Sequence, residues 1–208
     1  MKETPKTCRF LISLTAILLL ALPAAFAREP VDPSTLNPPP PPNFNPVCES
    51  VGNGTICDIQ FSDPPFAAGS EVTCGSGSNT FEPFQYQNRS VRSKRYYDQN
   101  GNLVRTHYHE YIEGTFVNPI THKSLAYSGS LNHLDEEAVP GDVTTVTQAI
   151  TGSVRIFLGQ GNGTLAIDTG RLVDSPQGIL HESGQHPFFD YFVLGDTAAV
   201  QPLCDALQ

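Results

Sequence analysis

Beyond residue 27 no stretch is long and apolar enough to span a bilayer, so the mature chain has no integral membrane segment. No segment repeats apolar residues near period 3.6 over the length of a helix, which argues against a helical bundle or a doubly wound α/β fold. Cysteines never form a close C-x-x-C pair, and the usual Cys-only metal sites are thereby removed. A G-x-S-x-G elbow is absent too. The glycine-rich run at 159–163 lacks the Lys-Ser/Thr pair of a phosphate cradle and reads as a connection between strands. Basic residues are scarce, twelve Lys and Arg against twenty-one Asp and Glu. A chain this acidic is a poor general partner for nucleic acid or an anionic membrane.

What is present begins with an export signal. Lys2, Lys6 and Arg9 precede an apolar run from Leu11 to Leu22, and Ala25-Phe26-Ala27 is an A-x-A cleavage site. Its removal leaves nine bases and twenty acids, a net charge of −11. Residues 28–47 contain the uninterrupted run Pro38 to Pro42, which favours polyproline II and lacks backbone donors, and they read as a disordered lead-in. Cys48, Cys57, Cys74 and Cys204 remain after cleavage. An even count behind an export signal argues for two disulfides in an oxidising compartment, secreted or periplasmic. Of the three pairings, Cys48 with Cys57 around the Gly52-Asn53-Gly54 turn, and Cys74 with Cys204, is the preferred one.

From residue 48 to 208 the pattern predicts one disulfide-stapled all-β domain, a small antiparallel barrel. Strand-like segments fall at 55–61, 71–75, 80–86, 89–98, 103–113, 115–119, 124–133, 142–151, 153–159, 164–173 and 188–194, between Gly, Pro and Asn turns. The aromatic cluster Phe188, Phe189, Tyr191 and Phe192 reads as a plug at one end of the barrel.

The strongest local signal is a long hairpin closed by Asn100-Gly101, a dipeptide that suits a two-residue type I′ turn. Strict pairing sets Asp98 against Leu103, Tyr96 against Arg105, Lys94 against His107 and Arg92 against His109. One face then carries Arg92, Lys94, Tyr96, Arg105, His107, His109 and Tyr111, a basic surface able to attract an anionic small molecule. The other carries Val91, Ser93, Arg95, Tyr97, Val104, Thr106, Tyr108, Glu110 and Ile112, mixed enough to line a lumen that holds water or a ligand. Arg95, Tyr97, Tyr108 and Glu110 are the candidate ligand-binding residues of that face.

Two family resemblances bear on this hairpin. The run Arg95 to Arg105, with Thr151-Gly152 and Asp168-Thr169-Gly170-Arg171, resembles exported lipocalin-like or allene-oxide-cyclase-like barrels of bacterial proteins over most of residues 55–195. That resemblance implies a barrel with an apolar cavity. Gly101, His107-x-His109 and Glu113, followed by Gly170, Pro176-x-Gly178 and His181, resembles the two halves of the cupin metal motif. By that resemblance His107, His109, Glu113 and His181 would hold one divalent metal. Ile120 stands where the cupin pattern has glycine, and Gln185 where it has asparagine. Ser183, His186 and Asp190 suggest a hydrolase set, though no elbow accompanies them. The reading that follows is a β-barrel binding a small apolar or weakly anionic molecule without a cofactor. A cupin-like metal enzyme and a structural or surface-interaction module are the alternatives, so enzymatic activity stays open. No motif speaks to oligomeric state.

Overall fold

The computed structural model describes residues 28–159 and 163–208. The signal-peptide reading of 1–27 and the middle of the 159–163 connection lie outside the described residues. Nine strands make one antiparallel sheet: β1 (Val47–Val51), β2 (Gly54–Ser62), β3 (Phe66–Gly69), β4 (Phe84–Tyr97), β5 (Leu103–Val117), β6 (Ser124–Glu137), β7 (Val146–Phe157), β8 (Thr164–Ser175) and β9 (Gly178–Gln185). Their order is β1-β2-β4-β5-β6-β7-β8-β9, with β3 paired beside β2 along the far end of β4. The all-β class and the meander follow the sequence pattern. The barrel does not close, however. Among the described residues no pairing joins β1 to β9, and the outer edge of β1 is instead occupied by residues 29–31, through Val31 N to Cys48 O and Ser50 N to Glu29 O.

The strands are longer and fewer than the turn signals suggest. Segments 103–113 and 115–119 are one strand, as are most of 142–151 and 153–159, because Gly114 and Gly152 sit inside ladders and not at turns. Gly152, Gly170 and Gly184 lie side by side in register with φ of 143°, 142° and 111°. A Cβ at any of them would run into backbone of the neighbouring strand, so this close approach requires glycine. Within 71–86, only Cys74 and Phe81 pair, as an isolated bridge, before β4 begins at Phe84.

Segment 188–194 is not a strand. It is helix α1 (Pro187–Leu194), begun by Pro187, whose missing N–H costs nothing in a first turn, and ended by Gly195 at φ 74°. Phe188 and Tyr191, three apart, pack on the core while Phe192 is half exposed. The second helix, α2 (Gln201–Leu207), buries Leu203, Cys204 and Leu207. Both helices lie on the inner face of the sheet.

Residues 28–46 are ordered, which corrects the expectation of a loose lead-in. Leu36 and Pro40 are buried, Asn37 exchanges backbone hydrogen bonds with Gly101 and Leu103, and Phe44 stacks on Phe61 with ring centroids 3.9 Å apart. Proline carbonyls still accept: Tyr97 Oη donates to Pro38 O at 3.1 Å. The stretch is a strap across the inner face.

Both preferred disulfides are present, Cys48–Cys57 across the β1–β2 pair and Cys74–Cys204 from the sheet margin to α2. They anchor two separate cores. One joins Val72, Cys74, Phe81, Phe116, Leu125, Tyr127 and Ile156 to α2; the other gathers Leu36, Cys48, Cys57, Tyr97 and Leu103 under the strap. Closing a loop with sequence separation 130 restricts the unfolded chain by about 5 kcal/mol, against about 2.5 kcal/mol for separation 9. Removing Cys74 and Cys204 together should therefore lower the unfolding free energy in urea by ~3–5 kcal/mol, clearly more than removing Cys48 and Cys57. Equal losses would show that loop entropy is not what the longer bridge contributes.

Candidate functional site

The hairpin turn differs from the two-residue form. Gly101 N donates to Asp98 O at 3.1 Å and Asp98 N to Asn102 O at 2.9 Å, making Gln99-Asn100-Gly101 a three-residue loop with only Gly101 at positive φ. Asp98 selects it, its carboxylate accepting from Asn100 N and Asn102 N. Tyr97, not Asp98, consequently opposes Leu103. A register shift at Tyr96/Tyr97 then restores the expected pairs Tyr96–Arg105, Lys94–His107 and Arg92–His109.

With that register, odd-numbered β4 residues and even-numbered β5 residues from Thr106 onward face inward. Along β5 the inner face runs from Leu103 in one core, through Thr106, Tyr108 and Glu110, to Ile112 and Phe116 in the other. The polar centre lies between the two cores. There Arg89 Nε donates to Glu110 Oε1 at 2.9 Å, and Arg89 Nη1 to Asp63 Oδ2 at 3.2 Å. From β6, His133 stacks flat on Tyr108, centroids 4.1 Å apart and planes 9° from parallel.

His133 is the unusual member. Its side chain is only 9% exposed, and its Nε2 lies 3.5 Å from Glu110 Oε2, a close approach without hydrogen-bond geometry. Neither ring nitrogen has a hydrogen-bond partner among the described residues. Leaving such a group unmatched costs about 1–3 kcal/mol, and native proteins do it rarely. Burial alone would raise Glu110, but His133 and the Arg89 guanidinium outweigh it and hold the carboxyl below its usual range. Tyr108 is pushed up to about 12, first by burial and then by the charges of Asp135 and Glu110.

Beside this centre the strap and sheet enclose a cleft of about 220 Å³. Pro41, Phe44, Ile59, Phe61 and Val91 give it an apolar lining, Arg95 and Asp135 stand toward one end of it and Arg89 toward the other, and Tyr108 lies between. A second inner-face cleft of about 190 Å³ lies on the other side, between Gln85, Gln87, Tyr127 and Phe188.

Of the four expected ligand-binding residues, Tyr108 and Arg95 line the first cleft, while Glu110 lies in the polar centre beneath it. Tyr97 does not reach the cleft: it is buried in the strap core. Glu110 pairs with Arg89, and Arg95 turns to Pro39 O at 3.4 Å. Arg89, Asp63 and His133 escaped the sequence reading. Arg89 shares the parity of Val91 and Arg95 and could have been found by extending the face two residues. His133 depends on the β5–β6 register, which residues 118–123 leave unspecified.

The cupin-like set is not brought together. His107, His109 and Glu113 project outward from β5, and His181 lies on β9 with three strands between, roughly 19 Å away at the usual strand spacing. Among the described residues no group of three His, Cys, Asp or Glu has metal-holding geometry. His109 contacts Ser130 Oγ at 2.8 Å, and Glu113 accepts from Tyr111 Oη.

The hydrolase set fails as well. His186 faces Asp168 at 3.1 Å, not Asp190, and its Nε2 meets the Ser183 carbonyl at 3.0 Å, not the hydroxyl. Burial pushes His186 down, but the Ser183 and Asp168 contacts overcome it and raise its pKa.

Two predictions follow from the histidines. His133→Phe keeps the stack on Tyr108 and removes the unmatched nitrogens, so thermal and urea unfolding should show a gain of about 1–2 kcal/mol. A loss of that size would mean the imidazole is matched in solution. For His186 a raised folded pKa means stability fully present below about pH 6.5 and lost as pH rises through the folded value. The wild type should therefore lose more stability than His186→Gln between pH 6 and 9, and parallel curves would dismiss the pair. Comparisons with protein-family models, curated proteins and solved structures find no match to this chain.

Proposed function

We propose that this is an exported binding protein whose inner-face cleft takes up a small, largely apolar molecule bearing one weakly anionic group. The observation that carries the reading is an apolar lining under the strap set between two guanidinium groups, Arg89 and Arg95, six residues apart along β4. Small-ligand sites commonly combine an apolar lining with a few convergent polar groups. At about 220 Å³ the cleft is smaller than the ~300–1,000 Å³ of drug-sized sites, which favours a single ring or a short chain. Both disulfides fit an oxidising compartment, and no described helix is long and apolar enough to cross a membrane. Resemblance to lipocalin-like barrels agrees with a cavity-bearing sheet, but fold analogy alone identifies no ligand.

Binding is preferred to turnover because Arg89, Glu110 and Asp63 are already satisfied by one another, which leaves Arg95 as the cation open to a ligand. Arg89 is held by Glu110 and Asp63, and the cleft hydroxyls of Ser93 and Thr106 carry no hydrogen-bonded histidine or carboxylate among the described residues. The test is an NMR titration with benzoate and hexanoate against benzyl alcohol and benzylamine. Carboxylates should shift resonances of Ile59, Val91 and Tyr108 most strongly, and Arg95→Gln should weaken them about tenfold, the size of one charge-assisted hydrogen bond. If no probe disturbs these residues, or the amine binds best, the reading is wrong.

A further inference from the structure

The outer face of β4 and β5 has no part in that cleft chemistry, yet it concentrates charge of the scarcer sign. On three successive rungs Arg92 faces His109, Lys94 faces His107 and Tyr96 faces Arg105. Arg92, Lys94, Arg105 and both histidines are exposed. The Arg105 guanidinium lies 4.4 Å from the centre of the Tyr96 ring. Three of the nine Lys and Arg in residues 28–208 therefore share one small block of a chain carrying twenty acids. Cations gathered on adjacent rungs of one face do not favour pairing, so strand stability does not explain the arrangement.

Nor is the block neutralised. Lys94 reaches Asp58 at 3.0 Å, but both side chains are over half exposed and such a pair contributes little. Arg92 makes no ion pair or side-chain hydrogen bond among the described residues. Beside it a groove of about 500 Å³ runs toward the strap, where Asn45 and Gln60 offer amides next to Arg92, Lys94, His107 and His109.

We propose that this outer face binds an acidic polysaccharide lying along the hairpin. Same-face residues repeat every ~6.8 Å along a strand, so the cations of three rungs span ~14 Å, a spacing suited to successive anionic groups on an extended chain. Exposed Tyr111 and the two imidazoles supply flat surfaces for sugar rings, and Asn45 and Gln60 supply partners for hydroxyls. The patch is narrow. Glu113 bounds it along β5, Asp58 bounds it on β2 beside Lys94, and Glu136 and Glu49 bound it across the sheet, in the row Glu49–Ile56–Tyr96–Arg105–Glu136. A duplex or bilayer would meet those carboxylates, whereas a single glycan chain fits between them.

The experiment uses the mature, disulfide-intact protein with polygalacturonate and dextran sulfate as probes, and neutral dextran, a single-stranded oligonucleotide and anionic phospholipid vesicles as comparisons. One or both acidic polysaccharides should bind, with affinity falling more than tenfold between about 50 and 300 mM salt, as release of counterions from about three contacts requires. The Arg92→Gln/Lys94→Gln variant should lose at least tenfold, while Arg155→Gln/Arg171→Gln, elsewhere on the outer face, should bind like the wild type. Circular dichroism confirms that both variants fold. Binding of neither polysaccharide, equal binding of dextran, preference for the oligonucleotide or vesicles, or indifference to the Arg92/Lys94 changes would each overturn the proposal. Inner-cleft probes should titrate identically in all variants, so failure here leaves the cleft reading separately tested.

Discussion

An antiparallel sheet that does not close has an inner face that must be covered by something other than itself. Here two covers divide the task. Helix α2, bridged by Cys74–Cys204, caps the end of the sheet where Phe116, Leu125, Tyr127 and Ile156 converge. The strap caps the other, where Cys48–Cys57, Tyr97 and Leu103 meet Leu36. Over the middle the strap leaves a cleft. The inner residues there are consequently those that tolerate partial hydration or can satisfy one another: Arg89, Tyr108, Glu110 and His133.

This placement accounts for the electrostatics of the centre. Removing Glu110 and Arg89 from water would be costly singly, but His133 and the Arg89 guanidinium outweigh burial at Glu110 and leave it easier to ionise than usual, while Asp63 gives Arg89 a second carboxylate. His133 is matched less well, its Nε2 approaching Glu110 Oε2 without hydrogen-bond geometry while its ring rests on Tyr108. Because Tyr108 and His133 stand on long central strands, the geometry around the cleft is set by the ladder and not by a loop.

The hairpin was legible because its signals are local. Alternation from Val91 to Ile112 separated a basic face from a mixed one, and the polar residues of the mixed face, read as a lumen lining, lie between the two cores. The disulfides were legible for a similar reason, since the Gly52-Asn53-Gly54 turn brings Cys48 opposite Cys57. What escaped depends on distant partners. Proline-rich residues 28–46 have no periodicity of their own, and distant partners order them: the edge of β1, the ring of Phe61, the Asn100-Gly101 hairpin end and the Tyr97 hydroxyl. Segment 188–194 is rich in aromatics that suit a strand; Pro187 and Gly195 at its ends were the better guide.

The two faces stay distinct only because parity is conserved through the turn. A three-residue loop in place of two would pass every residue beyond it to the opposite side, placing His107 and His109 inside and Tyr108 and Glu110 in water. The register shift beside Tyr97 absorbs the extra residue at the mouth of the hairpin, where Tyr97 and Leu103 can be buried together. One irregularity thus corrects another within a few residues of its origin. The remaining length of β4 and β5 then keeps a basic surface and a mixed polar centre back to back on the same two strands.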